Sequence, residues 1–335
     1  MLCTYDLTHY EEVHTAANAL LTKAFPHKMS ILLHLHHHHY RLCGITHDLL
    51  PDNTLLFVSD ESAADTQEVE FTFEFHFVKQ LPVIPNDPKN SKAPKDPFIP
   101  VYSRHNICIW QNGPLQRRQI SVNSPSDAYA VYEETSATHA DIWFLEGLHQ
   151  ELRIDTIFIS TLSLERHLAP HGIFIFHCAY MLHHNRAILL SGPSGAGKST
   201  HAELWHRHVE GTRIINGDRG LICREPDGSF VVDGWPVCGS SGICHNEAHP
   251  LGAIVFIEQI PGNQVIAENL PQHYRRVFAQ LTINHWDVAA TTEAADWVMS
   301  LCTAIPIVTY GCNIAPDAPY PLLDYLNTKF ISVGK

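Results

Sequence analysis

The stretch Ser191-Gly-Pro-Ser-Gly-Ala-Gly-Lys-Ser-Thr200 decides how the chain is read. It follows an apolar run, Arg186-Ala-Ile-Leu-Leu190, and precedes a helix-compatible run, His201-Ala-Glu-Leu-Trp-His-Arg-His208. Within it, Gly192-x-x-x-x-Gly197-Lys198-Ser199 has the spacing of a phosphate-binding loop, in the strand–loop–helix setting that motif needs. Glycines let successive backbone N–H groups point into one hollow, and the helix N-terminus adds positive potential there. Gly192, Ser194, Gly195, Ala196, Gly197, Lys198, Ser199 and Thr200 are therefore the candidate nucleotide-binding residues. Lys198 has the reach for the β- and γ-phosphates of ATP, and the Ser199 hydroxyl can hold Mg²⁺, which keeps most of its waters.

Upstream, Ile173–Leu182 reads as a strand, and a tight turn at His183-His-Asn185 leads into the strand that feeds the loop. Two strands joined so closely must run antiparallel. In Ras-like and adenylate-kinase-like folds the loop-bearing strand lies in a parallel sheet, so this hairpin points to another superfamily. Downstream, Arg213–Ile222 is an apolar strand interrupted by Asp218, and Asp227-Gly-Ser229 turns the chain into Phe230–Val237. Gly239–Gly242 reads as a flexible loop, and Leu251–Glu258 as a buried strand ended by the Pro261-Gly-Asn turn. Helices at about 271–282 and 293–304, a strand at Ile305–Tyr310 and a helix at about 320–330 complete this half.

Phosphoryl transfer needs phosphate positioning, a metal and a carboxylate at the acceptor. Asp218 is the candidate carboxylate, able to hold Mg²⁺ through water or to accept the acceptor's hydroxyl proton. Glu258 is its rival, because Ile254-Val-Phe-Ile-Glu258 has the look of a Walker-B strand; the hairpin before the loop favours Asp218. His177, fifteen residues before Gly192, can face the phosphates and as a cation would stabilise the transferring group. Catalytic candidates are thus Asp218, His177 and Lys198, and metal candidates Ser199 and Asp218.

Residues 171–260 resemble the C-terminal domain of HPr kinase/phosphorylase and its relatives, which share a fold group with ATP-dependent phosphoenolpyruvate carboxykinase. The resemblance rests on His177, the Gly192–Thr200 loop, Asn216-Gly-Asp218-Arg, Gly234-Trp-Pro and Leu251–Gln259. Gly197-Lys-Ser-Thr-His-Ala-Glu-Leu-Trp205 is more similar to the HPr-kinase-like proteins of peptide-modification gene clusters, some of which phosphorylate a peptide serine. It implies an ATP- and Mg²⁺-dependent kinase acting on a hydroxyl of a peptide or protein. HPr kinases carry paired aspartates where this chain has Gly217-Asp218. They also carry a Glu-x-Arg-Gly signature where it has Trp235-Pro-Val-Cys-Gly-Ser-Ser-Gly242. HPr itself is therefore not the expected acceptor. A small-molecule kinase and a nucleotide-binding regulatory module without chemistry are the alternatives.

The first half reads as an α+β unit with no catalytic motif. Residues 8–25 have helical apolar spacing, residues 30–43 are β-compatible, and Leu55-Leu-Phe-Val58 reads as a short strand. Glu68–Val78 alternates strictly, with Val69, Phe71, Phe73, Phe75 and Phe77 on one face, the pattern of a half-buried antiparallel strand. Residues 81–100 hold six prolines and read as a long exposed connector. Val101–Trp110, the Gln111-Asn-Gly-Pro turn and Arg117–Val122 form a hairpin, followed by strands at Ala128–Glu134 and Asp141–Glu146. Residues 150–169 read as one helix burying Leu152, Ile154, Ile157, Phe158, Thr161, Leu162, Leu164 and Leu168, and Pro170-His-Gly172 ends it.

A net charge of −13 argues against general nucleic-acid binding. No apolar run spans a membrane, no signal peptide opens the chain, and the nine cysteines form no C-x-x-C pair, which together suit a cytoplasmic protein. The tract His34-Leu-His-His-His-His39 reads as a solvated edge; as a continuous strand it would align His34, His36 and His38 on one face for a metal. The expected architecture is α/β (α+β): a β-rich unit over 1–165, suited to substrate capture, then a mixed-sheet kinase unit over 166–335. The expected partners are a nucleotide and a hydroxyl acceptor, with homo-oligomers possible for such kinases.

Overall fold

The computed structural model describes residues 30–59, 68–84, 97–104 and 106–333. The expected helix at 8–25 lies outside them. Over these residues the chain is an α+β protein with two eight-stranded, mostly antiparallel sheets.

The first sheet runs β1 (Ser30–Leu35), β2 (His38–Cys43), β3 (Phe71–Val78), β8 (His139–Leu145), β7 (Ala128–Ser136), β6 (Leu115–Ser121), β5 (Ile107–Asn112) and β4 (Ile99–Arg104) in spatial order. Phe71, Phe73 and Phe75 are buried as their alternation predicts. The strand is not antiparallel, however: β3 pairs parallel with both β2 and β8. One-face alternation marks which side is buried and carries no information on the direction of neighbours. The expected strand Leu55–Val58 is not formed: a single helical turn, α1 (Asp52–Leu55), runs into it, and only Val58 bridges Leu33. The histidine tract is also not one strand. The chain reverses at His36-His37, with His36 at φ 55°, so His34 faces His39 and not His36.

The segment between the sheets is a chain of short pieces: a 3₁₀ stretch Glu146–Arg153, α2 (Asp155–Leu162), α3 (Leu164–Leu168) and a 3₁₀ turn Ala169–His171. The expected single helix breaks at Ser163, which sits at φ 52°. Phe158, Thr161, Leu162, Leu164 and Leu168 are buried as expected, but Ile154, at the joint between two pieces, is 45% exposed.

The second sheet is built on β9 (Ile173–His183), which returns through His184-Asn185 into β10 (Arg186–Ser191). Both turn residues have positive φ, 43° and 65°, the twist a two-residue hairpin needs, so the expected antiparallel pair is present. β10 also pairs parallel with β14 (His249–Gln259), which is parallel to β16 (Ile307–Cys312); β15 (Gln264–Ile266) closes that edge. β11 (Thr212–Asn216) and β12 (Arg219–Arg224) both lie antiparallel to β9, and β13 (Phe230–Asp233) links β12 to β14. Gly239–Ser241 is a 3₁₀ turn. Four helices pack around this sheet: α4 (Lys198–His208), α5 (Leu270–Phe278), α6 (Val288–Ala304) and α7 (Pro319–Val333).

β9 divides the core. Ala179 and Met181 pack with Ala202 and Trp205 of α4, whereas Phe174, Phe176, Cys178 and Tyr180 pack with Val277 of α5 and Trp297 and Leu301 of α6. A third apolar cluster joins the two sheets, combining Phe73, Phe144 and Phe158 with Ile173, Ile175, Leu221 and Trp235. Among the described residues no helix is long and apolar enough to cross a membrane.

Candidate functional site

At one level of β9 both of its neighbours change. On one edge β10 ends, with Ser191 opposite Cys178, and the glycine loop begins level with His177. On the other edge β11 gives way to β12 through Gly217-Asp218: Asn216 pairs with Tyr180 and Arg219 with His177. The Cys178 N–H donates to the Asp218 carbonyl at 3.0 Å, which fixes Asp218 beside that position. Two breaks in the sheet thus flank one residue, and three candidates far apart in sequence meet there.

The loop is held from below. The Ser191 hydroxyl donates to the His177 carbonyl at 2.8 Å, and the Gln259 side-chain amide to the Gly195 carbonyl at 2.9 Å. Gly192, Gly195 and Gly197 have φ of 144°, 80° and 98°. At Gly192 a Cβ would also come within 3.2 Å of the Ala196 Cβ and 3.4 Å of the Ile257 carbonyl, so this turn needs glycine on two counts.

Lys198 opens α4 and folds back over the loop, its Nζ donating to the carbonyls of Gly192 and Pro193 at 3.1 and 3.3 Å. The residue is 8% exposed. Burial lowers its pKa, opposed by the nearby charge of Asp218. A buried ammonium held only by carbonyls has no full counter-charge, and an anion entering the loop would supply one.

His177 shares its face of β9 with Ala179, which packs against α4, so it is turned to the α4 side of the sheet. Its Nδ1 donates to Gln280 Oε1 at 3.0 Å, leaving Nε2 3.7 Å from Asp218 Oδ1. Burial first, then the positive charge of Lys198, pushes the His177 pKa below its ordinary value, so the ring is neutral at pH 7. The cationic role expected for it is disfavoured in this environment, because a second positive charge would sit beside Lys198.

Asp218 is braced on several sides. Arg219 Nε donates to its Oδ2 at 3.1 Å, and Arg219 also reaches the Thr282 hydroxyl at 3.1 Å. Asn216 shapes the turn: its Oδ1 accepts from the Asp218 and Arg219 N–H groups, both at 2.9 Å, while its buried amide donates to the Trp235 and Val237 carbonyls. Gly239 packs so closely that a Cβ there would lie 3.1 Å from Asp218 Cγ.

Glu258 lies elsewhere. It shares a face of β14 with Phe256 and Ile254, whose side chains pack on the α5–α6 side, and it pairs with Arg276, which also binds Glu268. The Glu258 carboxylate is thus occupied on the face of the sheet away from α4. Ser194, Ala196, Ser199 and Thr200 lie in the loop and first turn of α4 with Lys198. Gln280 and Thr282 are site neighbours that sequence reasoning missed, and Arg219 stands there only as part of the resemblance, with no role. Arg219 directly follows a candidate acid, which was a usable signal; Gln280 and Thr282 reach β9 only through the return of the chain after α5, with the Thr282 N–H donating to the Ile175 carbonyl at 2.9 Å. A surface hollow lined by Gly172, Arg224, Glu293, Asp296 and Trp297 contains none of the candidate residues.

No protein-family model matches the chain, and no curated protein matches it.

Proposed function

We propose that the chain is an ATP- and Mg²⁺-dependent phosphotransferase with an HPr-kinase-like catalytic unit over residues 166–335, passing the γ-phosphate to a hydroxyl, preferentially a serine of a peptide or protein. The observation that carries this reading is the convergence at β9: the glycine loop, a buried Lys198 without a full counter-charge, His177 and Asp218 at one break in the sheet.

In this reading the loop N–H groups, the N-terminus of α4 and Lys198 bind the phosphates of ATP. Ser199 and Asp218 are the residues that would hold Mg²⁺, a fit for an ion that takes oxygen ligands and keeps water. The metal supplies charge neutralisation across the phosphates. The acceptor oxygen attacks the γ-phosphorus, the bond to the β–γ bridging oxygen breaks, ADP leaves, and the acceptor proton passes to Asp218. Neutral His177 offers Nε2 as a hydrogen-bonding partner at the same place, oriented through Nδ1 by Gln280. Arg219 orients the Asp218 carboxylate.

The test is transfer of label from γ-labelled ATP with Mg²⁺ into a cell extract, with products separated by size and Lys198→Ala protein as control. The reading expects label in peptides or proteins that the control lacks. Label confined to small molecules would redirect it to a small-molecule kinase. ATP binding without any transfer would make the chain a nucleotide-binding regulatory module.

A further inference from the structure

The histidine tract is divided by its turn, and one half of it meets two residues from elsewhere. His38 opens β2, Glu70 stands one residue before β3, and His171 ends the 3₁₀ turn that leads into β9. Parallel pairing of β2 with β3 brings the first two together, and the Glu70 N–H donates to the His39 carbonyl at 2.9 Å. His38 Nδ1 lies 2.9 Å from Glu70 Oε1, and His171 Nε2 lies 3.7 Å from Glu70 Oε2. The two imidazole rings are 3.9 Å apart, centroid to centroid. One ligand atom from each of the three residues falls within a 4.8 Å group. Around tetrahedral Zn²⁺, with bonds of about 2.0–2.2 Å, neighbouring ligand atoms stand about 3.3–3.5 Å apart. The observed 2.9 and 3.7 Å bracket that spacing.

Two imidazoles in ring contact share one carboxylate. A divalent cation satisfies all three groups at once. The other two groupings around the hairpin are weaker candidates. Both share His36, whose two ring nitrogens are drawn to different carboxylates, Nδ1 to Asp233 at 2.6 Å and Nε2 to Glu225 at 3.3 Å.

We propose that His38, Glu70 and His171 form a transition-metal site of the His₂Glu type, suited to Zn²⁺, with its remaining position open to solvent. The Glu70 and His171 side chains are 37% and 32% exposed, which leaves a path of entry. Imidazole and carboxylate ligands suit zinc, and the hard cations favour all-oxygen sets. The bound ion would fasten the β1–β2 hairpin to the turn from which β9 starts. None of its ligands belongs to the phosphotransfer site, so the two readings stand or fall separately.

The test uses tag-free, full-length protein stripped with a chelator and titrated with Zn²⁺ alone in competition with a chromophoric chelator. One equivalent is expected to bind, and to raise the thermal midpoint as a ligand specific to the folded state does. His171→Gln and Glu70→Gln, both outside the tract, should each weaken binding at least about tenfold, since even supporting residues at metal sites are worth that much. His36→Gln and Asp218→Asn should leave it unchanged. Both glutamine variants replace partly exposed side chains, and equal thermal midpoints in chelator would confirm that they fold. Wild-type affinity in His171→Gln and Glu70→Gln would overturn the proposal, because it would assign the zinc to the intact tract. Absence of stoichiometric binding by the wild type would overturn it as well.

Discussion

His177 shows how neighbours decide what a residue can do. On an apolar strand a histidine is ordinarily packing; here it stands where β9 loses both neighbours, 3.7 Å from Asp218 and close enough to Lys198 to feel its charge. The lowered pKa keeps the ring neutral to below pH 6.5, so the acid limb of kcat/KM is expected below that value. His177→Gln should shift that limb while ATP binding persists; a profile unchanged by the substitution would exclude His177 from the site. The candidate residues of the loop were legible because a phosphate-binding loop is a local pattern. The bracing of Asp218 by Arg219, and of His177 by Gln280, was not, since it depends on which strands lie side by side. The choice between Asp218 and Glu258 turns on facing. Two-residue alternation along β14 puts Glu258 with Phe256, on the side where Arg276 takes it up.

At the scale of elements, the break between β11 and β12 is the feature on which the site depends. Gly239 keeps the space beside Asp218 open, with φ 57° and no room for a Cβ. Gly239→Ala should therefore displace Asp218 and cut transfer more than it lowers the thermal midpoint, measured side by side. Gly44 is a purely structural counterpart: at φ 71° a Cβ would lie 2.3 Å from the Phe75 carbonyl oxygen. Gly44→Ala is expected to cost about 1–3 kcal/mol in denaturant unfolding. The β9–β10 hairpin was legible from a short turn between two apolar runs, and its positive-φ residues explain why it is so tight. The parallel setting of β3 and the break at Ser163 were not. Strand direction is set by partners distant in sequence, and no feature of a serine announces a left-handed backbone.

Across the whole molecule, residues on both sides of position 165 contribute to one apolar cluster, and Arg166 pairs with Glu134 across the same region at 2.7 Å. The expected division near 165 rests on a helix-compatible run ended by Pro170-His-Gly172; the apolar layer between the two sheets was invisible, because burial between elements leaves no periodic signature of its own. Two histidines whose pKa values the fold lowers strongly give the molecule an acid sensitivity. Burial holds His201 at about 4 and His167 at about 3, against 6.5 when exposed. Both pKa values are lowered in the fold, so the unfolded chain binds more protons between those values and 6.5. Stability is therefore complete above 6.5 and falls as pH drops, by about 1.4 kcal/mol per group per pH unit. Urea unfolding between pH 7 and 4 measures it. Neither ring nitrogen of His201 has a hydrogen-bond partner. His201→Met should therefore flatten the pH dependence by one group's share and raise stability at pH 7 by about 1–3 kcal/mol.

The central claim is that the glycine loop and Asp218 form one phosphoryl-transfer site. It is tested most directly by comparing wild-type and Asp218→Asn protein in two assays, Mg²⁺-dependent binding of γ-labelled ATP and transfer of the label to the acceptor fraction. The account predicts that the variant still binds ATP through the loop, with a weaker dependence on Mg²⁺, and loses about 10²–10⁴-fold in transfer, the worth of a positioned proton acceptor. Transfer at the wild-type rate by Asp218→Asn would contradict it.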